Sequence, residues 1–399
     1  MPPEKRVKDN YCGSEEEKYR CKLIEMKKIF RKIHLWLSIP VGLFISLICF
    51  SGAILVFETE ITECINRKLY VVDKSNGERL PVSEIVQKVT AELPDSASVS
   101  SVQISSNPKR TYRLGIEGQN RTSVYVNPYT GEIVDTHTHK PNNFFGQVRQ
   151  LHRWLMFRGD SRIIGRRIVG ISTIVMVVIL LTGLIVWLPK NRKMARNRLR
   201  IRFRSGWRIF WYDFHVAIGF YATLLLLVMA LTGLTWSFGW YRNVFYSAFG
   251  VETRQSHQGG GGAGNRQQRG RNMREEKKPS IDYTIWDKAV EGALKNEESY
   301  KTLTVTSNAV SIVSNNVVSN NRASDRYTFD SETGVITEIS LYSEQPRQNK
   351  LRGWIYSFHT GSWGGIVVKI LYFIAAIVGG LLPLTGYYLW FKRKYKRKA

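Results

Sequence analysis

Cysteine is scarce in this chain, which has four in 399 residues. The four are Cys12, Cys21, Cys49 and Cys64, and neither C-x-x-C nor C-x-x-C-H occurs in the sequence. Disulfide scaffolds need several cysteines in one oxidising compartment, and covalent haem attachment needs C-x-x-C-H. The sequence therefore predicts neither a disulfide scaffold nor a c-type haem.

Acidic residues are also few, with 32 Asp and Glu against 58 Lys and Arg, and the formal net charge is +26. The basic residues gather before residue 33, in PKNRKMARNRLRIRFRSGWR from Pro189, and in FKRKYKRKA at the C-terminus. Each basic run borders a long apolar stretch, which favours anionic lipid headgroups as the partner. We therefore expect contact with membrane lipids and no binding of nucleic acid.

Charge is absent from four long stretches, at 34–57, 168–189, 214–241 and 370–391. Each has about the 20 residues that a helix needs to cross a hydrocarbon core of roughly 30 Å. Because the basic runs fall on one side of these spans, the positive-inside rule places both termini in the cytoplasm and the segments 58–167 and 242–369 outside. The first stretch is too long for a signal peptide and has no small-residue cleavage site after it, so we expect it to remain as a helix.

The two halves of the sequence are similar to each other. Gly52 lies 18 residues after His34, and Gly233 lies 18 residues after His215. Spans two and four end in LTGLIVWLPK and LTGYYLWFKR, and the outer segments contain VYVNPYTGEIVD and YTFDSETGVITE. The last two patterns each predict two strands joined by a Thr-Gly turn, and each outer segment opens with a predicted helix, at 81–93 and 283–296.

The expected fold is therefore an α-helical membrane protein with four transmembrane helices and two extracytoplasmic α+β domains, arranged as a tandem repeat. A glycine-rich, polar insert at 258–279 has no periodicity and predicts a flexible linker. The predicted boundaries are a basic N-terminal tail at 1–33, helix one at 34–57, the first outer domain at 58–150, an outer histidine segment with helix two at 151–189, a basic loop at 190–210, helix three at 211–241, the second outer domain at 242–350, an outer histidine segment with helix four at 351–391, and a basic tail at 392–399.

Four of the seven histidines occupy equivalent places in the two halves. His34 and His215 begin spans one and three on the cytoplasmic side, and His152 and His359 precede spans two and four on the outer side. A lone histidine at the end of a span is usually an interfacial residue whose amphipathic ring lies among the lipid headgroups. Gene duplication would also copy a histidine that has no function. Ionisable groups at spans are nevertheless candidates for function, and two same-side pairs favour ligands over interface residues.

Paired imidazoles suit haem better than zinc. Two neutral imidazoles on either side of a planar macrocycle give six-coordinate iron, which transfers electrons, whereas zinc takes four ligands that include thiolates or carboxylates. The sequence thus predicts two non-covalent haem b groups, with the pairs His34/His215 and His152/His359 as axial ligands. Arg149 and Arg153 flank His152 and are candidate partners of the haem propionates, although a lipid-facing or solvated role is equally open. Four glycines on the odd spans give room for a macrocycle or allow close helix packing, and we expect packing at each of them: Gly42, Gly52, Gly219 and Gly233.

The segments around these histidines resemble the PepSY-associated transmembrane family. The resemblance rests on KIHLWLSIPVGLFISLICFSGAILVF, QLHRWLMF, DFHVAIGFYATLLLLVMALTGLTW and FHTGSWGG, and on two hairpins similar to those of PepSY domains. It covers nearly the whole chain apart from the N-terminal tail, the insert and the basic C-terminus.

This resemblance implies a protein of the bacterial cytoplasmic membrane whose PepSY-like domains are periplasmic. It also implies a siderophore reductase that passes electrons through haem b to an Fe(III)-siderophore or another ferric chelate. Some relatives carry a flavodoxin-like reductase domain after the last span. This chain reaches Ala399 without a flavin or NAD domain, so we expect a quinol or a separate reductase as the electron donor.

Two other functions stay open at the level of the sequence. In a non-enzymatic protein, the PepSY-like domains would bind a peptide or a partner as sensor or inhibitor, and the spans would only anchor them. The internal repeat also allows a small transporter, although the span centres contain no carboxylates.

Overall fold

The helices and strands are defined by the computed structural model, which describes residues 15–72, 77–94, 97–117, 122–138, 143–251, 282–295, 297, 299–314, 320 and 323–395. The first 14 residues of the predicted tail, the insert predicted at 258–279 and residues 396–399 lie outside the described residues. The chain divides into two compact units. The first comprises Met1–Ala53, Leu151–Leu234 and Phe373–Ala399, and the second comprises Ile54–Gln150 and Thr235–Tyr372.

Helices make up more than half of the described residues. In order they are α1 (Glu15–Val56), α2 (Glu58–Ile65), α3 (Arg67–Tyr70), α4 (Val82–Glu92), α5 (Phe144–Trp154), α6 (Arg162–Trp187), α7 (Arg192–Arg198), α8 (Trp207–Asp213), α9 (Gly219–Ser237), α10 (Gly239–Ala248), α11 (Thr284–Leu294), α12 (Arg347–Thr360) and α13 (Gly365–Tyr395). A π-helical turn, Phe214–Ile218, joins α8 to α9, and 3₁₀ turns at Gly159–Ser161 and Ser362–Gly364 precede α6 and α13.

Within the described ranges, four helical segments are long and apolar enough to cross a membrane: Ile24–Val56, Gly159–Trp187, Trp207–Ser237 and Ser362–Lys394. Even the shortest, with 29 residues, covers about 43 Å at 1.5 Å per residue, more than the roughly 30 Å of a hydrocarbon core. The four predicted spans are therefore confirmed as helices. In the first unit, Leu180 of α6, Leu226 of α9 and Val378 of α13 pack together as a buried core.

Several helix ends differ from the predicted boundaries, and two of them have a local cause. Helix α1 begins at Glu15, inside the predicted basic tail, because Glu, Lys and Arg are good helix formers. Helix α9 ends at Ser237 rather than at 241, since Phe238 adopts an extended backbone (φ −129°, ψ 125°) before α10 begins.

In each outer segment one helix, α4 or α11, is followed by four strands. The strands are β1 (Ser98–Ser105), β2 (Tyr112–Glu117), β3 (Thr122–Val126) and β4 (Ile133–Thr138) in the first segment, and β5 (Tyr300–Thr306), β6 (Ala309–Ser314), β7 (Asp325–Phe329) and β8 (Ile336–Ser340) in the second. All eight belong to one antiparallel sheet of order β4-β3-β2-β1-β5-β6-β7-β8. The two segments therefore share a sheet, in which Gln103 of β1 stands opposite Thr304 of β5.

One face of this sheet is covered by α4 and α11. Side chains of alternate strand residues, such as Val102, Leu114 and Val305, are fully buried against these helices, as expected for a sheet with one apolar face. Asp287 of α11 accepts a hydrogen bond of 2.6 Å from the backbone N–H of Val82, at the start of α4. The predicted Thr-Gly hairpins are confirmed, because Gly131 and Gly334 both adopt the positive φ that their turns require (79° and 75°).

Candidate functional site

The two histidines predicted as the inner pair lie close together. His34 is on α1, and His215 is in the π-helical turn between α8 and α9. Their ring centroids are 6.3 Å apart, and the ring planes are inclined at 86°. The fold therefore brings together His34 and His215, the first of the two histidine pairs that the sequence predicts.

The π-helical turn lies at His215 itself. It spans Phe214–Ile218, between two α-helical stretches of the same span. A π turn inserts one extra residue into a helix and changes the direction of the side chains beside it, and such turns are frequent at functional sites. The π-helical turn is therefore a second indication, besides the nearby His34, that His215 is a functional residue.

Each inner histidine uses its Nδ1 atom to contact the end of a neighbouring span. His34 Nδ1 lies 3.0 Å from the backbone oxygen of Ile179 and 3.3 Å from the hydroxyl oxygen of Thr182, both on α6. His215 Nδ1 lies 2.8 Å from the hydroxyl oxygen of Thr385 on α13. With Nδ1 engaged, Nε2 is the ring nitrogen that remains to bind a metal.

Sequence reasoning missed Thr182 and Thr385 as parts of this site. The signal was present, because both belong to the repeated LTG at 181–183 and 384–386. That motif served only to align the two halves, since nothing in one sequence shows that a hydroxyl on span two meets a histidine on span one.

The geometry of the inner pair fits a shared axial metal. Metal–nitrogen bonds of about 2.0–2.1 Å on both sides would place two imidazole centres about 6 Å apart, in agreement with the observed 6.3 Å. No group of three or more His, Cys, Asp or Glu side chains gathers as a metal site in the described part of the chain, and two imidazoles are the donor set that six-coordinate haem needs.

His152 is held from span one. It is on α5, and its Nδ1 lies 2.9 Å from the backbone oxygen of Ile48 and 3.3 Å from the hydroxyl of Ser51. Burial lowers the pKa of His152, and the neighbouring Arg153 lowers it further, against the opposing effect of the hydrogen bond to Ile48. The imidazole is therefore kept neutral, which is the form that binds a metal.

His359 lies near the end of α12, in the second unit. Its ring packs edge-on against Trp236, with centroids 5.1 Å apart. His152 belongs to the first unit, and the pairing of His152 with His359 stays a prediction from the sequence.

The two arginines predicted to hold propionates both have protein partners. Arg149 forms an ion pair with Glu58, and the guanidinium of Arg153 lies 4.7 Å from the ring centroid of Trp154. Their role toward a haem stays a prediction.

Glycines of the odd spans lie at close contacts between helices. A Cβ on Gly42 would meet the Tyr387 hydroxyl at 2.5 Å, and one on Gly219 would meet Leu382 at 3.3 Å. At Gly52 a Cβ would lie 3.0 Å from Cε1 of His152. Packing, rather than an open gap, thus accounts for these three positions, as expected from small residues between membrane helices.

These features define a multi-pass α-helical membrane protein with a pair of histidines inside its helical unit. The chain belongs to the family described as the PepSY-associated TM region, whose family model matches residues 31–393. The resemblance stated from the sequence is thereby confirmed over nearly the whole chain. No curated protein matches the sequence.

Proposed function

We propose that this protein is a haem-b-containing transmembrane oxidoreductase that delivers electrons across the bacterial cytoplasmic membrane to an Fe(III)-siderophore or another ferric chelate. The observation that carries the proposal is the inner pair, His34 and His215, with centroids 6.3 Å apart and both Nδ1 atoms engaged. Haem b in such a site would supply reversible one-electron transfer. The chain's own residues bind it, fix the orientation of its ligands and exclude water.

A second haem, with His152 and His359 as ligands, completes the proposed route. The contact of His152 Nδ1 with the backbone oxygen of Ile48, at 2.9 Å, supports this assignment because it leaves Nε2 to bind a metal. We further propose that the two halves are copies of one unit, because a helix followed by four strands occurs in each outer segment. The outer segments would then be two PepSY-like domains joined by β1 and β5.

The proposed orientation follows from charge. The basic loop at 190–210 and the residues after the last span would face the cytoplasm and its anionic lipid headgroups, and the sheet would lie in the periplasm. A quinol or a separate reductase would be the electron donor. One quinol supplies two electrons, which reduce two Fe(III) chelates to Fe(II), and it releases two protons.

Reduction of a ferric chelate by the isolated protein tests this function. The protein is purified in detergent, reduced with dithionite, freed of reductant and mixed anaerobically with a ferric trihydroxamate and a ferrous-specific trap. We expect the reduced haem band to disappear in step with Fe(II) formation, at two Fe(II) per chain. The gallium(III) complex of the same ligand is the matched control, because it has a similar shape and is not reduced. Haem that stays reduced in the presence of the ferric complex would overturn the proposed substrate.

A further inference from the structure

We infer that each inner histidine is held as its Nδ1–H tautomer by a Thr-Gly dipeptide of the neighbouring span, and that the two dipeptides do this unequally. Thr385 holds His215 chiefly through its hydroxyl, whereas Gly183 holds His34 chiefly through close ring contact. This inference deepens the proposed function and rests on it, because it concerns how the chain prepares two axial ligands.

The tautomer follows from counting hydrogens at Thr385. Its hydroxyl has a single proton, which is donated to the backbone oxygen of Leu382 at 2.8 Å. Towards His215 Nδ1, 2.8 Å away, the same oxygen can only accept. Nδ1 of His215 therefore carries the proton, and Nε2 keeps the lone pair that binds a metal.

The same count holds at His34. The hydroxyl of Thr182 is directed to the backbone oxygens of Val178 and Ile179, at 2.8 and 3.0 Å. The Ile179 oxygen, which also lies 3.0 Å from His34 Nδ1, is an acceptor only. Both groups near Nδ1 thus require a proton on that nitrogen, and His34 has the tautomer of His215.

The hydroxyls differ in importance between the two histidines. For His34 the nearest acceptor is the carbonyl of Ile179 at 3.0 Å, and the Thr182 hydroxyl is the more distant one at 3.3 Å. For His215 the Thr385 hydroxyl at 2.8 Å is the hydrogen-bond partner, and the carbonyl of Leu382 also interacts with the ring. Loss of the hydroxyl therefore leaves His34 its nearest acceptor, whereas His215 loses the hydroxyl at 2.8 Å and keeps only the carbonyl of Leu382.

The two glycines differ in the opposite way, because the closer glycine contact is the one at His34. A Cβ on Gly183 would lie 3.1 Å from Cε1 and 3.4 Å from Nδ1 of His34, which is closer than an ordinary van der Waals contact. A Cβ on Gly386 would lie 3.7 Å from Cε1 of His215, an ordinary contact distance. A methyl group is thus tolerated beside His215, whereas beside His34 it requires a shift of the ring by a few tenths of an ångström.

The same device recurs at His152. The hydroxyl of Ser51 is directed to the backbone oxygens of Leu47 and Ile48, at 2.6 and 2.9 Å. The Ile48 oxygen lies 2.9 Å from His152 Nδ1, and Gly52 faces the ring. A hydroxyl residue followed by glycine therefore contacts His34, His215 and His152 alike, each from a neighbouring helix.

Groups that bond the second nitrogen of a metal-bound histidine raise its basicity and fix its orientation, and their loss lowers metal affinity by about 10–100-fold. Thr385→Val removes the hydroxyl while keeping the shape of the side chain. We therefore expect about 10–100-fold weaker haem binding at the inner site and a higher reduction midpoint, because a less basic ligand stabilises ferric iron less. Thr385→Ser, which keeps the acceptor, restores both values.

The test titrates hemin into the full-length protein in detergent and measures affinity, reduction midpoint and the low-spin ferric EPR signal. Thr182→Val, the matched variant on the other side, shifts these values clearly less than Thr385→Val, and Gly183→Ala shifts them clearly more than Gly386→Ala. Equal effects within either pair, or no rescue by Thr385→Ser, would overturn the inference. A wild-type protein that binds no hemin would instead overturn the proposed function, so the two failures are distinguishable.

Discussion

At the scale of single residues, an ion pair holds the segment of the chain just before His215. The side chain of Asp213 is 4% exposed and accepts two hydrogen bonds from the guanidinium of Arg202, at 2.8 and 2.9 Å. The backbone N–H of Arg202 donates a third, at 3.1 Å. A buried carboxylate needs this many donors, since removal of one partner leaves a desolvated charge. The contact therefore ties the basic loop to the residue two positions before His215.

Arg202→Ala should consequently destabilise the first unit. We expect a thermal midpoint a few degrees below that of the wild type, together with weaker haem retention, because Asp213 would be left buried with only the backbone donor. Arg204→Ala removes a charge from the same loop at an exposed position and should leave the midpoint unchanged. The thermal midpoints are measured by tryptophan fluorescence or by loss of monodispersity on heating. Equal midpoints for the two variants would show that the ion pair does not contribute to stability.

The histidines themselves were predictable at this scale, whereas their supports were not. Repeat register alone identified His34 and His215, because a periodic pattern shows which residues are equivalent. The roles of Thr182 and Thr385 depend on how one helix is rotated against its neighbour. That rotation is set by side-chain packing between spans, which one sequence does not encode locally.

At the scale of elements, the sheet connects the two outer segments. Hairpins within each segment were predictable from Thr-Gly turns and alternating strands, because both signals are local. The pairing of β1 with β5 was not, since these strands are separated by almost 200 residues and their register depends on no turn. The tandem repeat stays a prediction, although the same order of elements in both segments supports it.

A disulfide across the central strand pair tests this arrangement. Gln103 and Thr304 are direct partners in the antiparallel ladder, and such partners have Cα atoms about 4.5–5.5 Å apart, within the range of a disulfide. In a Cys64→Ser background, we expect Gln103→Cys with Thr304→Cys to form an intramolecular disulfide on oxidation, detected by peptide mass spectrometry.

Its matched control is Gln103→Cys with Ser311→Cys, because Ser311 is on β6, one strand beyond β5. Two strand spacings of about 4.8 Å each are too far for a disulfide. Cross-linking of the control pair, or its absence in the test pair, would contradict the shared sheet.

At the scale of the whole molecule, hydropathy determines the membrane architecture, and the proposed function depends on the histidines. The four apolar helices account for membrane insertion, and the basic runs are the basis of the proposed orientation. Hydropathy averages over many residues, which is why the sequence sufficed to predict the four helices. The proposed haem site depends on a few atoms near His34 and His215, and for that reason it needs a direct measurement.

Haem b content per chain is that measurement, by pyridine haemochrome assay on protein purified from haem-replete cells. We predict two haem b groups in the wild type, one in His34→Ala and one in His215→Ala, with the remaining haem showing that these variants fold. His137→Ala, which removes a histidine outside the predicted ligand set, should retain two. A colourless wild-type protein, or inner-pair variants that keep the full haem content, would contradict the account.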